Sequence, residues 1–315
     1  MNGDAAYTDI NSAKASMDHV YDEADPRAYF RELEPLEYAV PGGAKPFFQK
    51  IISYLQRYSD ETVNILDLGC SYGVNAALLK HDLSMDDLYR NWSQPSLQDA
   101  TPEEVVAHDR RFFASFDDTD DIRVVGLDPA RNAVTYGELS GLLDAGFPLD
   151  LETQQLPHHA IEDLGPVELV ISTGCVGYVT ETSFRRLMPA VSQGAQPWLA
   201  NFVLRMFPFE TIELTLADRD YVTEKLEGRT FKQRRFVSAE EQAEVVARLQ
   251  SQGLDPAGKE ADGYLHAELF LSRPRADALK MPIEALFAEA GFVEARARPV
   301  PDVPVPDTGK RVEIR

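Results

Sequence analysis

The chain has 315 residues, 44% of them hydrophobic, enough for one large globular domain with additions. Its 31 basic residues face 52 acidic ones, a formal net charge of −21 that repels phosphate backbones and anionic membranes, so neither nucleic acid nor a membrane surface is an expected partner. No stretch reaches the roughly 18 apolar residues of a membrane span, and the first twenty residues hold no basic region leading into an apolar run, so a cytoplasmic protein is expected.

Residues 1 to about 20 are polar, and the segment from Tyr21 to Pro46 mixes aromatics with prolines. Asp25-Pro26-Arg27 starts a short helix, with Asp25 as cap and Pro26 at the first position. An amphipathic helix from Phe47 to Tyr58 leads into the stretch Val63 to Lys80. There Ile65, Leu66 and Leu68 form the apolar run of a parallel strand buried on both faces, followed at once by a glycine-bounded turn and a helix-forming segment. A strand, tight loop and helix in that order bind small molecules at the strand's carboxyl end. A dinucleotide fingerprint needs glycines at the first, third and sixth loop positions, which here are Gly69, Ser71 and Val74, so a nicotinamide or flavin cofactor is disfavoured.

The string Asp67-Leu68-Gly69-Cys70-Ser71-Tyr72-Gly73 instead resembles motif I of the class I S-adenosylmethionine (SAM) methyltransferases, with Ser71 where a second loop glycine is common. The resemblance implies a Rossmann-like, doubly wound, seven-stranded and mostly parallel α/β sheet over residues 45–274, with SAM as cofactor. Residues 1–44 form an N-terminal tail and aromatic cap, 81–121 a helical insert, and 275–315 a C-terminal extension or dimer contact. Asp67, Gly69, Cys70, Ser71 and Gly73 then follow the methionine and ribose parts of SAM. Tyr21 and Tyr38 either present ring faces to the sulfonium or serve as the core of the helical extension. Cys70 and Cys175, the only cysteines, read as small packing residues beside the pocket and make no zinc site.

The insert explains why the family's second acidic residue, Asp128, stands 55 positions beyond Gly73. Ser84-Met85-Asp86-Asp87 and Thr101-Pro102-Glu103-Glu104 each pair a hydroxyl with a carboxylate three residues on, the signature of a helix start, and two or three short helices are expected, with a lid over the substrate as one role for them. Asp117, Asp118, Asp120 and Asp121 read as a solvated loop. Arg123 to Leu127 is the second strand, ending at Asp128-Pro129; the resemblance gives Asp128 the ribose hydroxyls, and a helix cap is its other reading. A third strand is expected at Leu149 to Gln155, followed by the segment Pro157 to Asp163, where the family meets adenine and where Ile161 and Glu162 are candidates. His158 or His159 offers a general base, against the reading that adjacent histidines on an exposed loop do nothing chemical.

The fourth strand, Val167 to Ser172, ends in Thr173-Gly174-Cys175-Val176-Gly177-Tyr178, placing Thr173 and Gly174 beside the methionine portion and Tyr178 towards the sulfonium, unless the segment is only a turn into the helix capped by Thr180. The Asn/Asp-Pro-Pro-aromatic motif of methyltransferases acting on base or amide nitrogens is absent. Pro197 to Phe207 is a fifth strand in which Asn201 either binds ligand or satisfies neighbouring backbone. Lys225, Arg229, Lys232, Arg234 and Arg235 form a basic cluster, on a solvated helix face or recognising a carboxylate. Ser238 caps a helix to Gln252, ended by Gly253; His266 to Ser272 is a late antiparallel strand, and a helix runs from Pro282 to Ala290.

The expected activity is methyl transfer to a small-molecule acceptor, with Tyr178, Asn201, Tyr21, Tyr38 and His158 as candidate catalytic residues. Two other readings stay open. Azetidine-2-carboxylate synthases of this fold close SAM's own aminobutyrate chain and release methylthioadenosine, and a non-catalytic SAM-binding protein needs no chemistry at all.

Overall fold

A computed structural model describes residues 20–58, 62–116 and 121–288; most of the expected N-terminal tail, Asp117, Asp118, Asp120 and the end of the chain lie outside them. Its centre is one mixed sheet. Strands β1 (Val63–Leu68), β2 (Ile122–Asp128), β3 (Ala145–Pro148), β4 (Leu169–Thr173) and β5 (Trp198–Leu204) run parallel in the order β3-β2-β1-β4-β5. The long strand β8 (Tyr264–Pro274) joins β5 antiparallel, and β6 (Tyr221–Lys225) and β7 (Phe231–Arg235) share its far edge end to end, so eight strands fill seven positions. This is the class I methyltransferase arrangement. The order reverses between β1 and β4, and a crevice opens there at the strands' carboxyl ends.

The central strands are apolar because helices cover both faces: all seven residues of β5 are buried. Helix α1 (Arg27–Leu33) belongs to the N-terminal cap, and α2 (Val40–Leu55) lies across β4, β5 and β7 and against α3 (Val74–Lys80). The insert supplies α4 (Met85–Trp92) and α5 (Pro102–Phe113), and each begins with a complete capping box, Ser84 with Asp87 and Thr101 with Glu104, as the sequence predicts. Then follow α6 (Arg131–Ser140) on β2 and β3, α7 (Ala160–Leu164), α8 (Glu181–Val191), α9 (Glu210–Ala217), α10 (Ala239–Ser251), α11 (Arg275–Lys280) and α12 (Ile283–Phe287).

Three expectations need correction. The third strand is Ala145–Pro148, ahead of the expected Leu149 to Gln155. Gly146 lets α6 approach so closely that a Cβ there would lie 2.5 Å from Val134, so this strand is small-residue and proline-bounded rather than an apolar run. The Asp150 carboxylate then accepts the Glu152 N–H and the Thr153 hydroxyl, which turns the chain at once. The basic cluster lies on and between strands β6 and β7, not on a helix. Finally, no described residue of the insert lines the crevice: it braces the cap from outside, with Phe30 against Trp92 at 4.2 Å between ring centroids and the Tyr89 hydroxyl donating to the Tyr38 carbonyl at 2.8 Å.

A buried carboxylate fastens the insert to α6. Asp109 accepts from Asn91 Nδ2 (2.8 Å), Trp92 Nε1 (3.0 Å) and the Tyr136 hydroxyl (2.7 Å). Burial pushes its pKa from 3.8 up to about 6, against the pull of those three donors. Because the folded value exceeds the unfolded one, the folded state holds the extra proton between about pH 4 and 6, and stability from this group falls as pH rises through that window. Asp109→Ala, which strands three donors, is expected to cost about 2–4 kcal/mol. Urea unfolding should give the larger cost near pH 4 and the smaller above about pH 6.

Candidate active site

The loop after β1 is shaped by what it must pass. Gly69 (φ +76°) runs so close to the β4 loop that a Cβ would stand 2.6 Å from Cys175 Cβ, which only glycine avoids. Ser71 takes the left-handed φ of +47°, and Gly73 at +78° forms the N-cap of α3. In this bent loop the Ser71 N–H points at Asp128 Oδ2 (2.9 Å), while Asp128 Oδ1 accepts the Ala130 N–H (2.9 Å). Burial raises the Asp128 pKa, and these two N–H groups oppose the rise.

Behind the loop, Asp67 is fully buried at the end of β1. Asn75 Nδ2 donates to Asp67 Oδ1 (3.0 Å) and to Thr173 Oγ1 (3.1 Å), joining the ends of β1 and β4. Asp67 Oδ2 and Asn75 Oδ1 have no partner among the described residues, and burial pushes the Asp67 pKa up to about 7. Cys175 is pushed up to about 12 by burial and its thiol donates to the Leu68 carbonyl, so it is a packing residue rather than a nucleophile.

Between these strand ends and the cap lies a cavity of about 580 Å³. The cap contributes Tyr21, Tyr29 and Tyr38 in an edge-on series, with centroid separations of 5.5 Å and 6.1 Å. Asp22 latches the cap to the start of α6: its Oδ1 accepts the Asn132 N–H (2.6 Å) and its carbonyl accepts Asn132 Nδ2 (2.8 Å). Across the opening, Glu152 accepts the N–H and hydroxyl of both Thr180 and Ser183, fixing the start of α8.

Of the residues singled out in the sequence, Tyr21, Tyr38, Gly69, Cys70, Ser71, Asp128, Pro129, Thr173, Gly174 and Tyr178 meet in this cavity. Asp67 and Gly73 support it from behind. Asn201 does not reach it: it is buried in the sheet, its Oδ1 accepting the Ser172 hydroxyl at 2.8 Å. His158 and Glu162 are exposed outside it and Ile161 borders a separate groove between α7 and α8, because β3 ends early and brings Leu149, Asp150, Leu151 and Glu152 to the crevice in their place. Asn75 and Gln233, both buried and both on the cavity, escaped the sequence reading. Asn75 stood in view one residue into the helix after the loop, whereas nothing in Phe231–Arg235 announces a strand.

No protein-family model and no curated protein matches the chain. Among solved structures it is similar to the plantazolicin methyltransferase BpumL in complex with a monoazolic desmethylPZN analog and SAH, at 14% identity, covering 85% of this chain and 98% of that one, with a TM-score of 0.43. It is also similar to magnesium protoporphyrin IX methyltransferase from Synechocystis PCC 6803 with bound SAM, at 11% identity, 73% and 80% coverage and a TM-score of 0.36. A third is phosphoethanolamine N-methyltransferase 2 of Haemonchus contortus, at 13% identity, 71% and 52% coverage and a TM-score of 0.34. These likenesses concern the fold alone.

The half-satisfied Asp67 carboxylate is costly when ionised. Its folded pKa of about 7 lies above the ordinary 3.8, so its contribution to stability is lost as pH rises through that interval. Asp67→Asn keeps an acceptor for Asn75 and removes the charge. Scanning calorimetry should show the variant melting a few degrees above the parent at pH 8 and at about the same temperature near pH 5.

Proposed function

We propose that this chain is a SAM-dependent methyltransferase acting on a small molecule. The observation that carries the reading is Asp128, a carboxylate at the end of β2 whose two oxygens are aimed by the Ser71 and Ala130 N–H groups at the edge of a tyrosine-lined cavity. Each oxygen keeps lone-pair capacity for a diol, and charge-assisted bonds of that kind contribute roughly 1.5–3 kcal/mol each. Asn75 Oδ1, an acceptor on the cavity wall without a partner among the described residues, suits an ammonium group, and the faces of Tyr21, Tyr38 and Tyr178 suit a sulfonium. The residues present therefore fit SAM.

SAM, when bound, supplies an electrophilic methyl group on a positively charged sulfur. The chain's own part is positioning. The latched cap walls one side of the cavity, the glycine loop and Thr173 fix one end of the ligand, and Asp128 fixes the other. Among the described lining residues there is no histidine, lysine or arginine, so nothing there serves as an imidazole or amine base. No helix of the described residues is long and apolar enough to cross a membrane.

One feature favours a second reading, SAM cyclisation to azetidine-2-carboxylate and methylthioadenosine. Four tyrosines, Tyr21, Tyr29, Tyr38 and Tyr178, crowd the cavity, and cyclisation needs aromatic support for the sulfonium but no second substrate. Incubating the protein with SAM alone separates the two readings by mass spectrometry. Intact SAM is expected for a methyltransferase, whereas methylthioadenosine with a cyclic amino acid would establish the cyclase. By calorimetry, Asp128→Ala is expected to weaken SAM binding about tenfold or more, through the loss of two charge-assisted bonds. An unchanged affinity would leave Asp128 only the fastening of the loop.

A further inference from the structure

Gln233 is where β7 departs from regular pairing. Lys232 faces His266 and Arg234 faces Leu265 on the neighbouring β8, so Gln233 is the extra residue of a β-bulge. Bulges re-aim a side chain and are frequent beside active sites. Here the bulge has two effects. The Gln233 carbonyl accepts the Ala39 N–H at 2.8 Å, seating the cap on the sheet edge, and the side chain turns into the cavity at the end of β4. Its amide lies 2.9 Å from where a Cβ on Gly174 would stand, so Gly174 is the glycine that leaves room for it. The residue is 5% exposed, and its Oε1 has no partner among the described residues. A buried carboxamide oxygen left unpaired is costly unless a ligand N–H or O–H meets it.

The electrostatics narrow the ligand. Asp22, Asp128, Asp150 and Glu152 line the cavity and no cationic side chain does, among the described residues. The basic residues flanking Gln233 are engaged elsewhere: Arg234 pairs with Glu241, and Lys232 and Arg235 lie over the Tyr264 ring. A carboxylate or phosphate on the acceptor would meet only negative charge.

We infer that Gln233 holds an uncharged amine of the methyl acceptor, its Oε1 accepting one N–H so that the nitrogen lone pair is turned towards the methyl group. The inference rests on the methyl-transfer reading above. The nitrogen forms its bond to carbon as the carbon–sulfur bond breaks, sulfur keeps the electron pair, and the product ammonium later gives its proton to water. An alcohol could make the same hydrogen bond, but it has to lose its proton during attack, and the carboxylates of the lining, Asp22, Asp128, Asp150 and Glu152, already accept N–H or O–H groups of the chain.

The test is calorimetric titration of the full chain, saturated with SAH, by a panel of primary amines from methylamine to tyramine, each matched with its alcohol and its carboxylate. At least one amine is expected to bind and its carboxylate is not. Gln233→Met should weaken that amine about tenfold or more while SAH affinity stays within about threefold, and Gln233→Glu, which keeps an acceptor, should retain amine binding. The inference is overturned if no amine binds, if carboxylates or alcohols bind as well as amines, or if Gln233→Met leaves amine affinity unchanged. A tenfold loss of SAH affinity in Gln233→Met would also overturn it, placing Gln233 on the cofactor. Failure of the parent protein to bind SAH at all would instead remove the methyl-transfer reading.

Discussion

The Asp128 carboxylate holds two strand ends in one geometry, and the crevice depends on it. Its oxygens accept N–H groups from the loops that follow β1 and β2. Those loops have left the sheet and have no ladder in which to place these donors. The bond to Ser71 also secures a residue in left-handed backbone, a conformation that costs a non-glycine residue about 1 kcal/mol. The loop of β4 is brought in by a different device, the missing Cβ of Gly69 against Cys175. One carboxylate and one glycine thus gather the ends of β2, β1 and β4, and the pocket exists where they meet because a parallel sheet ends all three on the same side.

The parts of this arrangement written in local chemistry could be read from the sequence. The β1 run with its glycine loop and the two capping boxes are contiguous signals, and each forms as expected; Asp128 stands at the end of β2, where the sequence places it. What escaped depends on distant partners. Strand β3 is Ala-Gly-Phe-Pro because α6 presses on Gly146, so tertiary crowding removed the bulky residues by which a strand is recognised. Strand β7 is Phe-Lys-Gln-Arg-Arg; two of its polar side chains are buried, Arg234 only because Glu241 on α10 meets it and Gln233 only because a bulge turns it inward. Neither condition is visible in a five-residue window.

The same strand explains the size of the additions to the core. The cap docks on β7 by main-chain bonds, Ala39 N–H to the Gln233 carbonyl and Arg235 N–H to the Leu36 carbonyl at 2.6 Å, while Glu37 reaches Arg235 and Tyr264 at the exposed rim. From the other side the insert presses Tyr89 and Trp92 on Phe30, and the Tyr89 hydroxyl takes the carbonyl of Tyr38. Tyr38 is therefore fixed from two directions, by β7 on one side and by the insert, whose described residues do not line the cavity, on the other. The exposed ion pair at the rim adds little to this, since screened surface pairs contribute about 0–1 kcal/mol. The main-chain bonds and ring contacts determine where the cap sits.

Four buried polar atoms around one cavity, Asp67 Oδ2, Asn75 Oδ1, Ser71 Oγ and Gln233 Oε1, lack partners among the described residues. Each such atom costs roughly 1–3 kcal/mol, and others lie away from the cavity, as at Asn201 Nδ2 and Arg273 Nε; these four are distinguished by surrounding one cavity. Three of the four are acceptors, at or behind a lining that, among the described residues, has acidic side chains and no cationic ones. Their losses share one remedy, a ligand that is rich in N–H donors or carries positive charge. Folding alone would favour apolar replacements at these positions. A ligand that met these acceptors would also stabilise the fold through linkage, which ties the proposed binding to the stability of these positions.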